Sequence, residues 1–351
     1  MPLSKMIKYF TILLLLVSLT VEGQNALKGI ITDSETGEAI PGANIYLNTS
    51  SIGTSSDIDG NFTLDIGPIR PVSIFISFVG YKTLSWQVED SGVSLKVKLE
   101  QSSFTLEEYQ VKSEEDKAWQ RRMKRFKYAF FGTDELARQC EIQNPWVIEF
   151  KRTDGVLTAF ADESLIILNK GLGYKVTYLL NEFIISPMMR QYQGLSFFEE
   201  LETNDPAEHR TWQQNRLTAY NGSMRHFLYA AQNNQLRESR FTAIIGQNVD
   251  QRGVRIEGKV PNKSITNLSS HVIFSKSDDN GRILKFSNHL MITYKGETQR
   301  GDFQHSSVVS NYPTFVDEKG NLASSGGITV AGHLAHEGFP YLLPAEYEPG
   351  Q

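Results

Sequence analysis

Three runs decide the fold of the first part of this chain: GIITDSETGEAIPGANIYL at residues 29–47, GTSSDIDGNFTLDI at residues 53–66 and SIFISFVGYKT at residues 73–83. Apolar and polar residues alternate over short segments, which turn dipeptides separate. Alternation with a period of two predicts strands that bury one face, and the nearly even spacing of the turns predicts antiparallel pairing. Residues 24–101 are therefore predicted to form an antiparallel β-sandwich.

The predicted strands have clear inner and outer faces. At residues 72–78, the apolar set Val72, Ile74, Ile76 and Phe78 alternates with Ser73, Phe75 and Ser77. Similar alternation is found at residues 62–66 and 93–99. Two sheets can bury these apolar sets against each other.

Three blocks within these runs resemble one known family. IPGANIYL at residues 40–47, GTSSDIDGNF at residues 53–62 and ISFVGYKT at residues 76–83 match the pattern of the carboxypeptidase-like regulatory domain family. The resemblance implies a transthyretin-like or immunoglobulin-like sandwich without catalytic residues. It also implies a gram-negative bacterial source, because this domain precedes the plug of TonB-dependent outer-membrane transporters. LEEYQV at residues 106–111 resembles the segment that follows the sandwich there, but the chain is too short for a plug and a large barrel.

The first residues predict export. Lys5 and Lys8 precede an apolar segment at residues 9–20, and the small residue Gly23 follows it. This order is typical of a secretory signal peptide, predicted at residues 1–23. An uncleaved membrane anchor is the alternative, which the shortness of the apolar segment disfavours. With the resemblance, export predicts a location in the periplasm or at the outer membrane.

Composition narrows the classes of function and of stabilisation. The chain has a formal net charge of −5, which disfavours nucleic acid as a partner. Its single cysteine, Cys140, cannot form an internal disulfide. We interpret Cys140 as a small buried hydrophobic residue in preference to a nucleophile.

A second domain is predicted at residues 114–341, after a polar linker at residues 102–113. Helical patterns at residues 114–131 and 206–236, with strand patterns between and after them, predict an α+β domain rich in antiparallel sheet. Gly222 is expected to kink or divide the second helix.

Two further expectations concern the course of the chain in this domain. Residues 174–180 and 182–185 are predicted as separate strand-like runs, and the chain from Gly320 as irregular, with a tail at residues 342–351. Segments at residues 130–132, 140–145, 169–175 and 220–228 resemble a region that follows the sandwich in other exported proteins of such bacteria. That resemblance implies no activity.

The helix predicted at residues 114–131 is amphipathic and basic. Trp119, Met123, Phe126 and Phe130 recur at helical spacing, and the rest of its surface carries Lys117, Arg121, Arg122, Lys124, Arg125 and Lys127. A solvated basic face is the favoured interpretation. Contact with anionic lipid or lipopolysaccharide phosphates is the alternative, and nucleic acid is the least favoured.

Two short motifs invite a ligand-binding interpretation. The run from Asp57 to Asn61 clusters oxygen ligands, but it lacks the terminal Glu of a calcium loop, so a hairpin turn before the Phe62 strand is favoured. Gly171 and Gly173 lack the following helix and Lys of a phosphate loop, so a turn is favoured there too.

The strongest catalytic-looking cluster is His333-Leu334-Ala335-His336-Glu337. Its H-x-x-H-E order matches neither the H-E-x-x-H nor the H-x-x-E-H pattern of zinc proteases, and flanking glycines oppose a helix. His209, His226, His271, His289 and His305 are scattered and are interpreted as satisfied surface or core residues. The sequence therefore singles out no catalytic, cofactor-binding or metal-binding residue.

The favoured prediction is a non-enzymatic, exported envelope protein that binds or scaffolds an envelope protein or a glycan. One alternative is glycan binding through Tyr46, Tyr81 and Trp86, although these aromatic side chains are rather expected to close the sandwich. The other alternative is a metal-dependent hydrolase that uses His333, His336 and Glu337.

Cleavage of the signal peptide is directly testable. We expect protein isolated from its native host to begin at Gln24, because Gly23 supplies the small residue that signal peptidases require. N-terminal sequencing or intact mass measures this. A chain that still begins at Met1 and stays in the inner membrane would contradict the prediction.

Overall fold

A computed structural model describes residues 25–67, 71–90, 92–102, 117–186, 190–246, 273–277, 281–287, 289–295, 305–336 and 338–350. The predicted signal peptide, the LEEYQV segment and most of the predicted linker lie outside these ranges. Among the helices that the structure describes, none combines the length and the apolar character that a membrane crossing needs.

The first unit is a seven-stranded sandwich. Its strands are β1 (Ala26–Asp33), β2 (Asn44–Leu47), β3 (Gly53–Ser55), β4 (Asn61–Asp65), β5 (Val72–Ser77), β6 (Leu84–Val88) and β7 (Ser94–Leu99). One sheet has the order β4-β1-β7 and the other β3-β2-β5-β6. Their inner faces enclose one hydrophobic core, which includes Leu27, Ile45, Phe62, Ile74 and Val97. The predicted β-sandwich is confirmed.

One strand pair corrects the prediction of uniformly antiparallel strands. β1 and β7 run parallel, from Lys28 opposite Ser94 to Asp33 opposite Leu99. Parallel neighbours need a long connection, and here it comprises the five intervening strands of the sandwich. The first and last strands of the unit therefore lie side by side and point the same way.

The second unit is built on one six-stranded sheet. It contains α1 (Lys117–Phe131), α2 (Glu135–Arg138), β8 (Cys140–Ile142), a 3-10 turn (Pro145–Val147), β9 (Glu149–Thr153), β10 (Val156–Phe160), β11 (Leu165–Asn169), β12 (Tyr174–Ile185) and β13 (Arg190–Glu200). The first half of β12 pairs with β11 and its second half with β10. β13 pairs with β12 along its whole length, so the sheet is organised around the β12–β13 hairpin.

A β-bulge in β12 keeps one face of the strand on the core. Even-numbered residues such as Tyr178 and Leu180 face the core before the bulge, and odd-numbered Phe183 and Ile185 face it afterwards. The register shifts between Leu180 and Glu182, which leaves Asn181 without a partner on β13. The two strand-like runs predicted from the sequence are thus one strand, interrupted by one extra residue.

Helix α1 covers the core face of this sheet with aromatic side chains. Phe126 lies 5.4 Å from Phe183 between ring centroids, and Phe130 stacks on Phe126 at 4.9 Å. The indole of Trp119 donates a hydrogen bond to the carbonyl of Ile148 at 2.8 Å. The predicted amphipathic helix is therefore held to its own domain by its apolar side.

The third unit has its own core. It follows α3 (Pro206–Tyr220), whose Ala219 belongs to the core of the second unit. Its own elements are α4 (Met224–Gln232), β14 (Phe241–Gly246), β15 (Phe274–Lys276), β16 (Gly281–Leu284), β17 (His289–Tyr294), β18 (His305–Ser310), β19 (Thr314–Asp317) and β20 (Ile328–Gly332). The sheets have the orders β14-β17-β18-β20 and β15-β16-β19. The core includes Phe227, Leu228, Phe241 and Ile292.

Two sequence expectations for this region have different outcomes. The predicted helix over residues 206–236 is divided at Gly222, as expected, where φ is +83° and a Cβ atom would lie 2.7 Å from the Tyr294 ring. The irregular structure predicted from Gly320 is wrong for Ile328–Gly332, because pairing with β18 orders this segment as a strand. The region predicted as one domain, residues 114–341, contains two separate hydrophobic cores.

The sandwich docks on the sheet face opposite α1. Tyr46 and Phe75, on its outer surface, pack against Leu179 of β12 and Phe197 of β13. The rings of Tyr46 and Phe197 stack with centroids 4.0 Å apart. Backbone hydrogen bonds join the same surfaces, from Thr49 N to Ser196 O at 2.6 Å and from Phe198 N to Ser50 O at 2.9 Å. Phe75 is fully buried because the second unit covers it.

The C-terminal tail joins the three units. Phe339 enters the core of the second unit and stacks on Phe130 at 5.0 Å. The Arg225 guanidinium of the third unit donates hydrogen bonds to the carbonyls of Pro344, Ala345 and Tyr347 at 2.8, 2.7 and 2.5 Å. The amide of Ala345 donates to Thr49 O of the sandwich at 2.7 Å. The predicted tail at residues 342–351 lacks helix and strand over its described part, yet it makes these defined contacts.

Replacement of Phe75 separates folding of the sandwich from its docking. In an isolated fragment of residues 24–101, we expect Phe75→Thr to change the free energy of unfolding by less than about 1 kcal/mol, because Phe75 lies outside the sandwich core. In the full chain the same change leaves a cavity against Leu179 and Phe197 and should cost about 3 kcal/mol. Urea denaturation followed by circular dichroism measures both. A fragment that is unfolded, or equal costs in both chains, would contradict this division.

Candidate functional site

The docking face of the six-stranded sheet is only partly covered by the sandwich. On β13, the alternate residues Gln193, Leu195 and Phe197 share this face. Leu195 and Phe197 lie under the sandwich, whereas Gln193 is exposed. From Phe197 back to Gln193, this face of β13 therefore changes from apolar and covered to polar and exposed. The change lies opposite the bulge in β12.

The open part of this face forms a groove of about 510 Å³. Its lining comes from β9, β10, β12 and β13 and consists of Lys151, Thr153, Thr158, Phe160, Asn181, Glu182 and Gln193. Lys151 is directly opposite Thr158, and Glu182 is directly opposite Gln193. Directly opposed side chains have Cβ atoms about 5 Å apart, so each pair presents its polar groups to the same place.

The groove combines several kinds of hydrogen-bonding group. An ammonium and a carboxylate stand beside two carboxamides and two hydroxyls, and the half-buried ring of Phe160 is the aromatic member. The charges of Lys151 and Glu182 offset each other. Such a surface can bind a polar ligand through hydrogen bonds donated and accepted at several points.

The bulge is what places Asn181 and Glu182 at this groove. Without the extra residue, strict alternation after Leu180 would turn Phe183 and Ile185 away from the core. Bulges often occur beside binding sites, where they redirect a side chain. The sequence does hold a signal for this site, because the apolar alternation of β12 breaks at Asn181.

The three aromatic residues proposed for glycan binding are not one surface. Tyr46 lies in the contact with the second unit, where burial raises the pKa of its hydroxyl to about 12. The hydroxyl of Tyr81 donates a hydrogen bond to Asp33 Oδ2 at 2.8 Å. Trp86 is 45% exposed on the edge strand β6. Tyr46 and Tyr81 therefore have structural partners, and the structure does not bring the three rings together.

The Asp57–Asn61 run forms a turn. Asp57 Oδ1 accepts hydrogen bonds from the backbone amides of Asp59 at 3.0 Å and Asn61 at 2.8 Å, and Gly60 adopts φ +77°. The favoured turn is confirmed, but it is not a hairpin, because β3 and β4 lie in different sheets. The turn carries the chain from one sheet of the sandwich to the other.

The Gly171–Gly173 segment is also a turn. A Cβ atom at Gly173, where φ is +70°, would lie 2.3 Å from the Trp212 ring. Side chains of α3 bind the carbonyls of this turn: Trp212 Nε1 donates to Lys170 O, Asn215 Nδ2 to Gly171 O, and Arg216 to both Leu172 O and Gly173 O. A phosphate site needs backbone N–H groups that converge on the anion. In this turn, the backbone carbonyl groups point instead toward side-chain donors of α3.

The histidine cluster is only partly described by the structure. His333–His336 forms a short 3-10 turn after β20, not the fully non-helical segment expected from the sequence. The amide of Leu334 donates to Ser306 Oγ at 3.0 Å, which fixes the turn on β18. The side chain of His336 and the whole of Glu337 lie outside the described residues, so the absence of catalysis there stays a prediction. Within the described part of the chain, no three His, Cys, Asp or Glu side chains gather as metal ligands would.

Cys140 lacks the features of an activated nucleophile. The residue is half-buried and packs on the core of the second unit. Burial, with a smaller contribution from Asp134, raises the pKa of its thiol to about 12. Since the thiolate is the reactive form, this raised pKa disfavours a nucleophilic role for Cys140 at neutral pH. It is less completely buried than the sequence predicted.

Three of the described histidines have local partners for their imidazole rings. His289 Nδ1 lies 3.3 Å from Ser307 Oγ, and His305 Nδ1 lies 2.8 Å from Thr293 Oγ1. His226 is packed among aromatic rings, and its Nδ1 accepts a hydrogen bond from the amide of Gly222 at 3.1 Å. His271 lies outside the described residues. The expected role of these histidines as satisfied residues is confirmed for His226, His289 and His305.

Comparison with known proteins identifies the first unit. Residues 27–111 match the CarboxypepD_reg-like domain family, so the chain carries a domain of this family, as its sequence motifs predicted. The chain is also 30% identical over 91 residues to TonB-dependent receptor P3 of Formosa agariphila. That match covers 25% of this chain and 9% of the receptor, so the chain corresponds to a small part of the receptor's length.

Two solved structures have low overall similarity to this chain. A protein from Bacteroides uniformis, assigned by name as carbohydrate binding, has 10% identity and a TM-score of 0.19 and covers 50% of this chain and 79% of its own. A protein of unknown function from Bacteroides fragilis, named as membrane-associated, has 11% identity and a TM-score of 0.19 and covers 88% and 94%. TM-scores this low do not establish a shared fold with either protein.

The half-buried imidazole of His226 predicts a pH dependence. Burial lowers its pKa to about 4, so the folded protein holds it neutral while the unfolded chain takes up a proton below about pH 6.5. The free energy of unfolding should therefore fall as the pH decreases from about 6.5 to about 4, by up to about 3 kcal/mol from this residue. His226→Asn keeps an acceptor for Gly222 but does not titrate. Urea denaturation near pH 7 and near pH 4.5 should show a smaller pH effect in the variant, and equal effects would contradict the assignment.

Proposed function

We propose that this chain is a non-enzymatic binding protein of the cell envelope and that its ligand occupies the groove lined by Lys151, Phe160, Asn181, Glu182 and Gln193. The observation that carries the proposal is the open polar half of a sheet face whose other half is apolar and covered. The groove volume, about 510 Å³, falls within the range of roughly 300–1,000 Å³ typical of small-molecule sites.

A hydroxyl-rich ligand such as a short oligosaccharide fits this lining. Carboxamides and carboxylates each make two hydrogen bonds to neighbouring hydroxyls, and Asn181, Glu182 and Gln193 supply three such planar groups. The ring of Phe160 offers an apolar surface for the C–H face of a sugar. This site differs from the aromatic surface proposed from the sequence, because the groove lies on the second unit.

A binding role is favoured over hydrolysis by the titratable groups of the groove. Glycoside hydrolysis commonly uses two carboxyl groups on opposite sides of the scissile bond. Among the residues that line the groove, Glu182 is the single carboxylate. The matched domain family implies no catalytic residues in the sandwich either. The sandwich then acts as an interaction or spacer module.

Export to the periplasm or to the outer membrane is part of the proposal. It is supported by the predicted signal peptide at residues 1–23 and by the similarity of one quarter of the chain to a TonB-dependent receptor. In that setting the partner is an envelope glycan, either free or carried by another envelope component.

Calorimetric titration with a panel of short neutral and acidic oligosaccharides tests this function. We expect at least one to bind, and Gln193→Ala to weaken that binding about tenfold through the loss of its hydrogen bonds. Gln214→Ala is the matched control, since it removes an exposed carboxamide from α3, away from the groove.

Three outcomes would contradict the proposal. The first is a panel without any binding, and the second is equal loss of affinity in Gln193→Ala and Gln214→Ala. The third is cleavage of a bound oligosaccharide, which would make the protein an enzyme. Stoichiometric zinc that is lost in His336→Ala, together with hydrolytic activity, would instead favour the metal-dependent hydrolase.

A further inference from the structure

The exposed side of helix α1 carries a concentrated positive charge. Lys117, Arg121, Lys124, Arg125 and Lys127 are all exposed, within a helix of 15 residues. Such a helix is only about 22 Å long, so these cations lie close together although the chain as a whole has a net charge of −5. A local field of this kind attracts anions even when the net charge of the protein does not.

The packing of α1 determines which side faces outward. Met123, Phe126 and Phe130 are buried against the sheet, and Trp119 is held by its hydrogen bond to Ile148. The helix therefore cannot rotate to bury its cations without losing this aromatic core. The basic side is a permanent surface of the folded unit.

Two carboxylates that follow α1 in the chain form ion pairs with other cations. On β8, Glu141 pairs with Lys170 at 2.9 Å, and on α2, Glu135 pairs with Arg138 at 3.1 Å. Among the described residues, no ion pair is found for Arg121, Lys124 or Arg125. All three side chains are exposed to solvent.

We infer that this side of α1 binds the anionic surface of a membrane through the phosphates of lipid headgroups. Each Lys or Arg near an anionic bilayer adds about fivefold to the affinity, so several together suffice for peripheral binding without any specific pocket. Tyr128, which is 59% exposed on the same helix, places an amphipathic ring where membrane-surface proteins commonly carry one.

This contact is electrostatic and does not involve insertion of the helix. Helices that insert into the interface bury their apolar side among acyl chains, but the apolar side of α1 already lies in the protein core. Binding should therefore depend strongly on salt, because screening weakens exposed charge pairs.

The contact also orients the molecule. α1 packs on the core face of the six-stranded sheet, whereas the sandwich and the polar groove lie on its opposite face. A bilayer bound at α1 therefore leaves the groove and the sandwich directed away from the membrane. The inference itself does not depend on the groove having a ligand.

Vesicle co-sedimentation of the full-length mature protein tests the inference. We expect binding to vesicles of phosphatidylglycerol and phosphatidylethanolamine at low salt, loss of binding at high salt, and no binding to phosphatidylcholine. The variant R121Q/K124Q/R125Q should bind on the order of a hundredfold more weakly, because three cations contribute about fivefold each. Gln preserves helix propensity at these exposed positions.

A second variant controls for the change in total charge. K28Q/K96Q/K98Q removes three exposed lysines from β1 and β7 of the sandwich and should bind like the wild type. Circular dichroism shows whether both variants fold. If one variant does not fold, the salt dependence of vesicle binding by the wild type still tests the inference.

Several results would overturn the inference. Equal weakening in both variants would assign the effect to net charge, and binding that persists at high salt would indicate insertion. Failure of the wild type to bind phosphatidylglycerol vesicles would exclude the membrane surface. Binding of duplex DNA or of soluble inorganic phosphate without vesicle binding would assign the basic side to a different anion.

Discussion

The two-sided burial of the β12–β13 hairpin is the constraint on which the rest of the structure depends. Toward one side, Tyr178 and Phe183 meet the aromatic side chains of α1, and toward the other, Leu179 and Phe197 meet the sandwich. A strand pair that is covered on both faces must satisfy two partners at once, and a one-residue slip would exchange its faces. The bulge at Asn181 lets the hairpin contact both partners, because it keeps Phe183 directed toward the core beyond the segment that the sandwich covers.

Much of the fold could be predicted from local pattern. The sandwich, the amphipathic α1 and the division of a helix at Gly222 all follow from periodicity and turn residues within a few positions. The error over Ile328–Gly332 has a different origin, because its order comes from pairing with β18, a distant part of the chain. For Phe75, the alternation of apolar and polar residues correctly predicts a position on the outer face of the sandwich. Its burial could not be predicted in this way, because the second unit covers it.

The candidate groove could not be predicted in the same way. Lys151, Asn181 and Gln193 come from three strands, and the sequence does not state that β10 shares an edge of β12 with β11. The break in alternation at Asn181 was visible, yet a strand end and a bulge produce the same local pattern. By contrast, the basic side of α1 follows from helical periodicity alone, so its residues could be predicted from the sequence. The orientation of that side relative to the groove and the sandwich could not.

The tail has a consequence for the order of assembly during synthesis. Phe339 completes the core of the second unit, and the carbonyls of Pro344, Ala345 and Tyr347 accept hydrogen bonds from Arg225, yet these residues follow the strands and α-helices of all three units in the chain. The sandwich can fold early, because its core is local in sequence. The contacts of the tail with the three units can form only after residues 339–347 have been made. Until these residues emerge, a nascent or translocating chain lacks this closure, even where the sandwich already contacts the second unit.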